Sequence, residues 1–285
     1  MKNIALVECP RDAMQGWHHF IKTDDKVNYL NALMQVGFHT LDCLSFVSAR
    51  AIPQMADSAE VAERLMKNGS ATRILAIVLN KRGALEALAH PVIDVLGFPF
   101  SISPTFQRLN GNNSLEENWD RLCEIKSLAD SARKEMVVYL SMGFGNPYGD
   151  EYNPEGVLDW AAKIGQAGIQ VLSLADTVGI ATPVEIAQVV KMVKQNLPDL
   201  EVGVHLHSSP QGHNEKLMAA LHAGAVRLDA AIGGFGGCPM AGDELVGNMN
   251  TRMVLNALHE QGAAPQLNAQ ALQAAEEMAV KIFVP

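Results

Sequence analysis

At 285 residues the chain is long for one ordinary domain and suits a single large α/β barrel, which commonly runs near about 250 residues. A hydrophobic content of 48% against 19% charged residues excludes a disordered chain and supplies a sizeable core. The 22 Lys and Arg against 31 Asp and Glu leave a net charge of −9, which argues against nucleic acid or an anionic membrane as partner, because either selects for a basic face.

No apolar run reaches the roughly 18 residues a membrane helix needs, and MKNIALVECPRD does not read as a signal peptide. Cys9, Cys43, Cys123 and Cys238 are too few and too scattered for a disulfide scaffold. A reduced, soluble, cytoplasmic protein is the expectation.

In chain order, a first β-rich apolar run covers 4–9. Thr23-Asp24-Asp25 then offers N-cap oxygens to a helix whose stripe of Val27, Leu30, Leu33 and Met34 stops at Gly37. Strands are expected at 40–46, 73–79, 92–99 and 136–142. Asn153-Pro154-Glu155 caps a helix through Val157, Leu158, Ala161 and Ile164 that ends at Gly168. A strand at 171–177 follows, and Thr182-Pro183-Val184-Glu185 is a capping box opening a helix through Val190 and Val193. Strands at 202–207 and 227–233 complete eight, and a final helix, about 266–283, is expected to pack outside the barrel.

Most runs are continuous in Val, Ile and Leu, as parallel strands buried on both faces should be. Gly37, Gly168 and Gly224 each precede a strand leucine by four residues (Leu41, Leu172, Leu228), and each leucine is followed by a polar residue, Asp42, Ser173 or Asp229. Equal helix-to-strand connections repeated around eight units are the mark of a closed (β/α)₈ TIM barrel. An open doubly wound sheet is the alternative. No linker divides the chain, so residues 1–285 are expected to form one catalytic domain.

In such a barrel the active site lies at the C-terminal ends of the strands. Those ends carry Arg11 and Asp12 with Gln15 nearby, Asp42 and Ser45, Ser173 and Asp176, His205-Leu206-His207, and a glycine-rich segment holding Cys238 and Asn248. His-x-His on a strand turns both imidazoles to one face. With Asp12 and Asn248 at the same mouth, the donors are two nitrogens, a carboxylate and an amide oxygen, with no thiolate. That set favours Mg²⁺ or Mn²⁺ with a chelating substrate, while zinc, cobalt or iron stay open.

Cys238 is either an inert small residue or an acid or nucleophile. Arg11 is either an electrophile for an enolate oxygen or the ion-pair partner of Asp42 or Asp176. Gln15, Ser45, Ser173 and Asp176 are the expected substrate contacts. Met34, Met55, Trp119 and Trp160 are assigned to packing. The glycines match neither a dinucleotide fingerprint nor a P-loop.

Taken together, PRDAMQG (10–16), SFVS (45–48), SLADTVG (173–179), HLH (205–207), GGCP (236–239) and GN (247–248) resemble the 3-hydroxy-3-methylglutaryl-CoA lyases from about residue 4 to 250. The resemblance implies metal ligands at Asp12, His205, His207 and Asn248, a catalytic arginine at Arg11 and a loop cysteine at Cys238. It implies cleavage of 3-hydroxy-3-methylglutaryl-CoA to acetyl-CoA and acetoacetate, a step of leucine degradation, with Asp42 or His205 as base and Cys238 as proton donor. An acyl-CoA substrate and a homodimer are the implied partners, with Arg50, Lys81 or Arg108 available to the CoA phosphates.

The chain departs from the family pattern in places. Asp42 stands for Glu, Ser208-Ser209 for Asp-Thr, Lys216 for Asn, Pro104 for Glu, and Arg252 for an acidic residue. These changes leave the metal ligands intact and bear on the acyl group. The alternatives are a related lyase or Claisen enzyme acting on another hydroxyacyl thioester or hydroxy acid, and a non-catalytic barrel.

Overall fold

The computed structural model describes residues 4–237 and 246–283. Eight strands, β1 Ala5–Glu8, β2 Thr40–Ser45, β3 Arg73–Ile77, β4 Val95–Ser101, β5 Glu135–Ser141, β6 Val171–Asp176, β7 Glu201–Leu206 and β8 Arg227–Ala230, pair in sequence order. All pairings are parallel, and β1 against β8, in register from Ala5↔Arg227 to Glu8↔Ala230, closes the barrel. The helices between strands lie outside, as in a TIM barrel.

Each expected strand is present, with shifted ends. β4 begins at Val95 rather than 92, because residues 91 and 92 form a turn after the preceding helix and Asp94 is the first to bond β3, through Ile74 O. It also runs through Pro99 to Ser101. β8 ends at Ala230, and Ile232–Gly234 is a 3₁₀ turn.

Asn153 caps Pro154–Gln166 through the Gly156 amide, and Thr182 with Glu185 forms the expected capping box. Thr23 does not cap its helix. The N-cap is Lys22, and the Thr23 hydroxyl donates instead to Asp57 Oδ2. The final helix is Ala269–Phe283, with the Gln270 and Ala271 amides donating to Asn268 Oδ1. It packs on Thr23–Met34, and Phe283 meets Phe235 and Trp17 at 4.9 and 5.4 Å between ring centroids.

Alternation along the strands divides the core in two. One face, with Leu6, Leu41, Leu172 and Val202, packs under the helices. The other fills the barrel with a separate apolar cluster of Leu75, Ile77, Val95, Val137, Tyr139 and Val171. Buried polar side chains share the interior, among them Asp42, Ser173, His205, Arg227 and Asp229. Gly203 makes this possible, since a Cβ there would come within 2.9 Å of the Arg227 Cβ.

Met34 and Met55 are buried. Trp119 and Trp160 share the Lys163 ammonium at 4.1 and 4.5 Å, a packing role. No described helix is long and apolar enough to cross a membrane.

Candidate active site

β1 runs directly into a short helix, Pro10–Gln15, with proline at its first position. Residues i, i+1 and i+4 of one turn thereby bring Arg11, Asp12 and Gln15 to the barrel mouth. The Arg11 guanidinium forks onto Asp42 of β2, Nε to Oδ1 at 3.1 Å and Nη2 to Oδ2 at 2.5 Å. Its Nη1 donates to Asp12 Oδ1 at 3.0 Å and Gln15 Oε1 at 2.8 Å, and Gln15 Nε2 donates to Asp12 Oδ1 at 2.9 Å. Such a fork fixes both distance and plane.

Across the mouth, β7 presents His205 and, one residue past its end, His207. Their Nε2 atoms face each other at 3.2 Å, the spacing of neighbouring ligands on one ion with bonds of about 2.1 Å. His205 Nδ1 lies 3.1 Å from Asp229 Oδ2 on β8. A carboxylate there fixes the Nδ1–H tautomer and turns the Nε2 lone pair to the rim. Asp12, His205 and His207 offer ligand atoms all within 4.8 Å of one another.

Asn248 completes this side. Its Nδ2 donates to Asp12 Oδ2 at 2.7 Å and to Phe235 O at 2.8 Å, which leaves the side-chain oxygen for an ion. Gly236 allows the approach, because its φ is +97° and a Cβ would fall 2.6 Å from Asn248 Nδ2 and 2.7 Å from Asp12 O.

The electrostatics suit a cation. Burial pushes Asp12 up, but Arg11, His205 and His207, with the Asn248 bond, outweigh it and hold the carboxyl at about 2. Burial and then His205 lower His207 to about 4, so its imidazole is neutral with a lone pair to give. Burial opposes charge on His205 too, but the Asp229 bond and charge prevail and raise it. Burial raises Asp42, and Arg11 offsets part of the shift. The donor set therefore fits a divalent ion.

Arg11, Asp12, His205 and His207 open on a cavity of about 140 Å³, whose lining does not include Asn248 or Asp42. Gln15 and Ser45 line it as expected, the Ser45 hydroxyl being buried and without a partner among the described residues. Ser173 and Asp176 do not. Ser173 lies in the barrel interior, level with Tyr139 and Gly203 on the neighbouring strands and fully buried. Asp176 is turned away by alternation, since Ala175 and Thr177 face the cavity. Asp176 instead takes Lys216 Nζ at 2.8 Å and the Ala181 amide at 3.1 Å.

That lysine also donates to Gly179 O and His207 O at 2.9 and 3.0 Å, tying β6 to the end of β7. Lys81 is occupied by Glu124 at 2.6 Å, while Arg50 and Arg108 are exposed. Arg252, a departure in sequence, pairs with Glu276 at the surface. Cys238 lies outside the described residues.

Two residues of the site were not expected. Tyr139 lines the cavity with a buried hydroxyl that faces Arg227, its ring edge-on to His205 at 5.9 Å. Inward alternation of Val137, Tyr139 and Ser141 would have found it. Asp229, the orienting partner of His205, was visible as the polar residue of the third repeat.

The HMGL-like family model matches residues 4–279. The cytoplasmic 3-hydroxy-3-methylglutaryl-CoA lyase of Rattus norvegicus is 31% identical over 260 residues, covering 91% of this chain and 75% of the relative. The HMG-CoA lyase structure from Brucella melitensis superposes with a TM-score of 0.92 at 27% identity, covering the whole of both chains. That from Acinetobacter baumannii, in complex with coenzyme A and 3-methylmalate, gives 0.90 at 27% identity over 99% of this chain and 91% of the other. The shared barrel fold and a family match spanning all eight strands agree, and the chain belongs to the HMGL-like family.

Proposed function

We propose that this protein is a metal-dependent carbon–carbon lyase that cleaves 3-hydroxy-3-methylglutaryl-CoA to acetyl-CoA and acetoacetate. The observation that carries the reading is the convergence of Asp12 with two imidazole Nε2 atoms 3.2 Å apart, at the edge of the cavity. Asp12, His205, His207 and Asn248 would hold the ion, with Mg²⁺ or Mn²⁺ suited to the thiolate-free donors. A divalent ion there supplies Lewis-acid polarisation of the substrate oxygens.

The chain's own groups do the rest. Arg11, locked in place by Asp42, directs its guanidinium to the oxygen that becomes an enolate as the carbon–carbon bond breaks. Both Asp42 oxygens are taken up by Arg11, so in this reading Asp42 anchors rather than acts as base. His205 takes the hydroxyl proton, and Asp229 behind it stabilises the imidazolium. The same Nε2 lone pair would hold the ion or take the proton, with Asp229 behind the ring in either role. Cys238 gives the proton to the enolate carbon.

Gln15 and Ser45 contact substrate, and Arg50 and Arg108 meet the CoA phosphates. The reading takes residues 1–285 as one catalytic domain of a cytoplasmic homodimer, which sedimentation at micromolar concentration would reveal as twice the chain mass.

The test is an assay of purified protein with Mg²⁺ or Mn²⁺ against a panel of 3-hydroxyacyl-CoA thioesters. Acetoacetate released from the methylglutaryl thioester, lowered about a thousandfold in His207→Ala and sharply reduced in Cys238→Ala, is the expected result. Turnover of a different thioester alone would replace the substrate. No turnover and no metal affinity would overturn the reading.

A further inference from the structure

Glu8 takes no part in the chemistry above, yet it is fully buried. Cys9 beside it faces His205 and Asp229 inside the barrel, so alternation turns Glu8 outward beneath the helices. There its two oxygens meet two separate groups. Oε1 accepts the Ile232 amide at 2.7 Å, and Oε2 is bonded to the Thr251 hydroxyl at 2.6 Å.

Those residues stand at the two described ends of one connection. Ile232 follows β8, and Thr251 opens the helix Thr251–Glu260. The ends are also joined by Ala231 N to Met249 O at 2.9 Å and Thr251 N to Ala231 O at 3.1 Å. Next to Met249 is Asn248, bonded to Asp12, and Asp12 sits on the helix that begins one residue after Cys9. One side chain at the end of β1 therefore touches both roots of the segment that returns Asn248 to the rim.

Packing alone does not account for it. A buried carboxyl is disfavoured unless its bonds are satisfied. The ionisable groups that face it are Cys9, Tyr29 of Thr23–Met34 and Glu276 of Ala269–Phe283, and none brings a positive charge.

We propose that Glu8 is a positioning residue, a clip that holds Ile232 and Thr251 to the end of β1 and thereby sets Asn248 opposite Asp12. The proposal rests on the metal-site reading above for its consequence, and on these bonds for its geometry.

Two readouts on the full chain separate a clip from general stabilisation. These are Mn²⁺ affinity by calorimetry and hydrogen exchange of the Ile232 amide. Glu8→Ala should weaken Mn²⁺ binding about tenfold, in the range found when groups supporting a ligand are removed, and should expose the Ile232 amide to exchange. Glu8→Gln keeps an acceptor for the Ile232 amide and offers its own N–H to the Thr251 hydroxyl, which reverses that bond without breaking it, and should bind Mn²⁺ within about twofold of wild type. Should Glu8→Ala fail to fold, Thr251→Val, which removes one bond, should give a loss of about threefold.

Wild-type Mn²⁺ affinity in Glu8→Ala, or in Thr251→Val where it replaces it, would overturn the clip while leaving the metal site standing. A wild-type protein that binds no Mn²⁺ would refute the metal-site reading instead. The clip would then stand or fall on whether Ile232 exchange accelerates in the same variant.

Discussion

Around the cavity, the side built from β1 and β7 presents Arg11, Asp12, His205 and His207, whereas the side built from β2 to β4 presents Val47, Ile52, Ile77, Leu79, Pro99 and Phe106. On the first side almost every polar atom has a fixed partner, so distances between groups are set by hydrogen bonds. On the second, apart from the Ser45 hydroxyl and Asn110, recognition is by shape. In the proposed reading bond breaking belongs to the charged half and choice of acyl group mainly to the apolar half, and the two should respond differently to substitution.

The sharpest test of that division is His207→Ala. Losing one of the paired nitrogens should lower kcat by about 10³, or ~4 kcal/mol of transition-state stabilisation, together with loss of Mn²⁺ affinity. A variant that loses turnover yet binds Mn²⁺ normally would break the comparison at its charged half. Next comes Asp42→Asn, which leaves the buried Arg11 fork without its main counter-charge. Urea unfolding should show a loss of about 3 kcal/mol, and kcat should fall with KM nearly unchanged.

Behind the charged half, on the outer face of β1, Glu8 makes stability answer to pH. Burial, the largest effect, raises this carboxyl from 4.5 to about 8, with Glu276 adding to it against the Thr251 and Ile232 bonds. Between those values the folded protein keeps a proton that the unfolded chain has lost. Its contribution is therefore fully present below about 4.5 and declines as pH rises toward 8. Each unit removes about 1.4 kcal/mol, so wild type should lose about 2 to 3 kcal/mol of stability relative to Glu8→Gln from pH 5 to 7. A gap independent of pH would contradict it.

The smallest effect belongs to the apolar half. Ile77→Ala should lower kcat/KM about tenfold, ~1.4 kcal/mol, chiefly through KM, with Mn²⁺ affinity as in wild type. Weakened metal binding there would show that the halves are not separable.

Much of this architecture was legible because it repeats. The glycine, leucine and polar residue of three units fix the helix-to-strand connection, and His-x-His fixes two rings on one face by period alone. The short helix Pro10–Gln15 was not legible, since six residues carry too little periodicity to stand out. Ser173 and Asp176 were misplaced because lying on a strand near the mouth is not the same as facing the cavity. One sits a layer down and the other points at Lys216. That Asp42 meets Arg11 with both oxygens depends on the three-dimensional path of two strands. Tyr139 was concealed in a run that looks apolar throughout.

The central claim is that one divalent ion is held jointly from β1, β7 and the segment after β8. Calorimetric titration with Mn²⁺ of wild type, Asp12→Ala, His205→Ala, His207→Ala and Asn248→Ala tests it most directly. One equivalent bound by wild type and a marked loss of affinity in all four variants is the predicted result. Binding that survives unchanged in any of the four would contradict it.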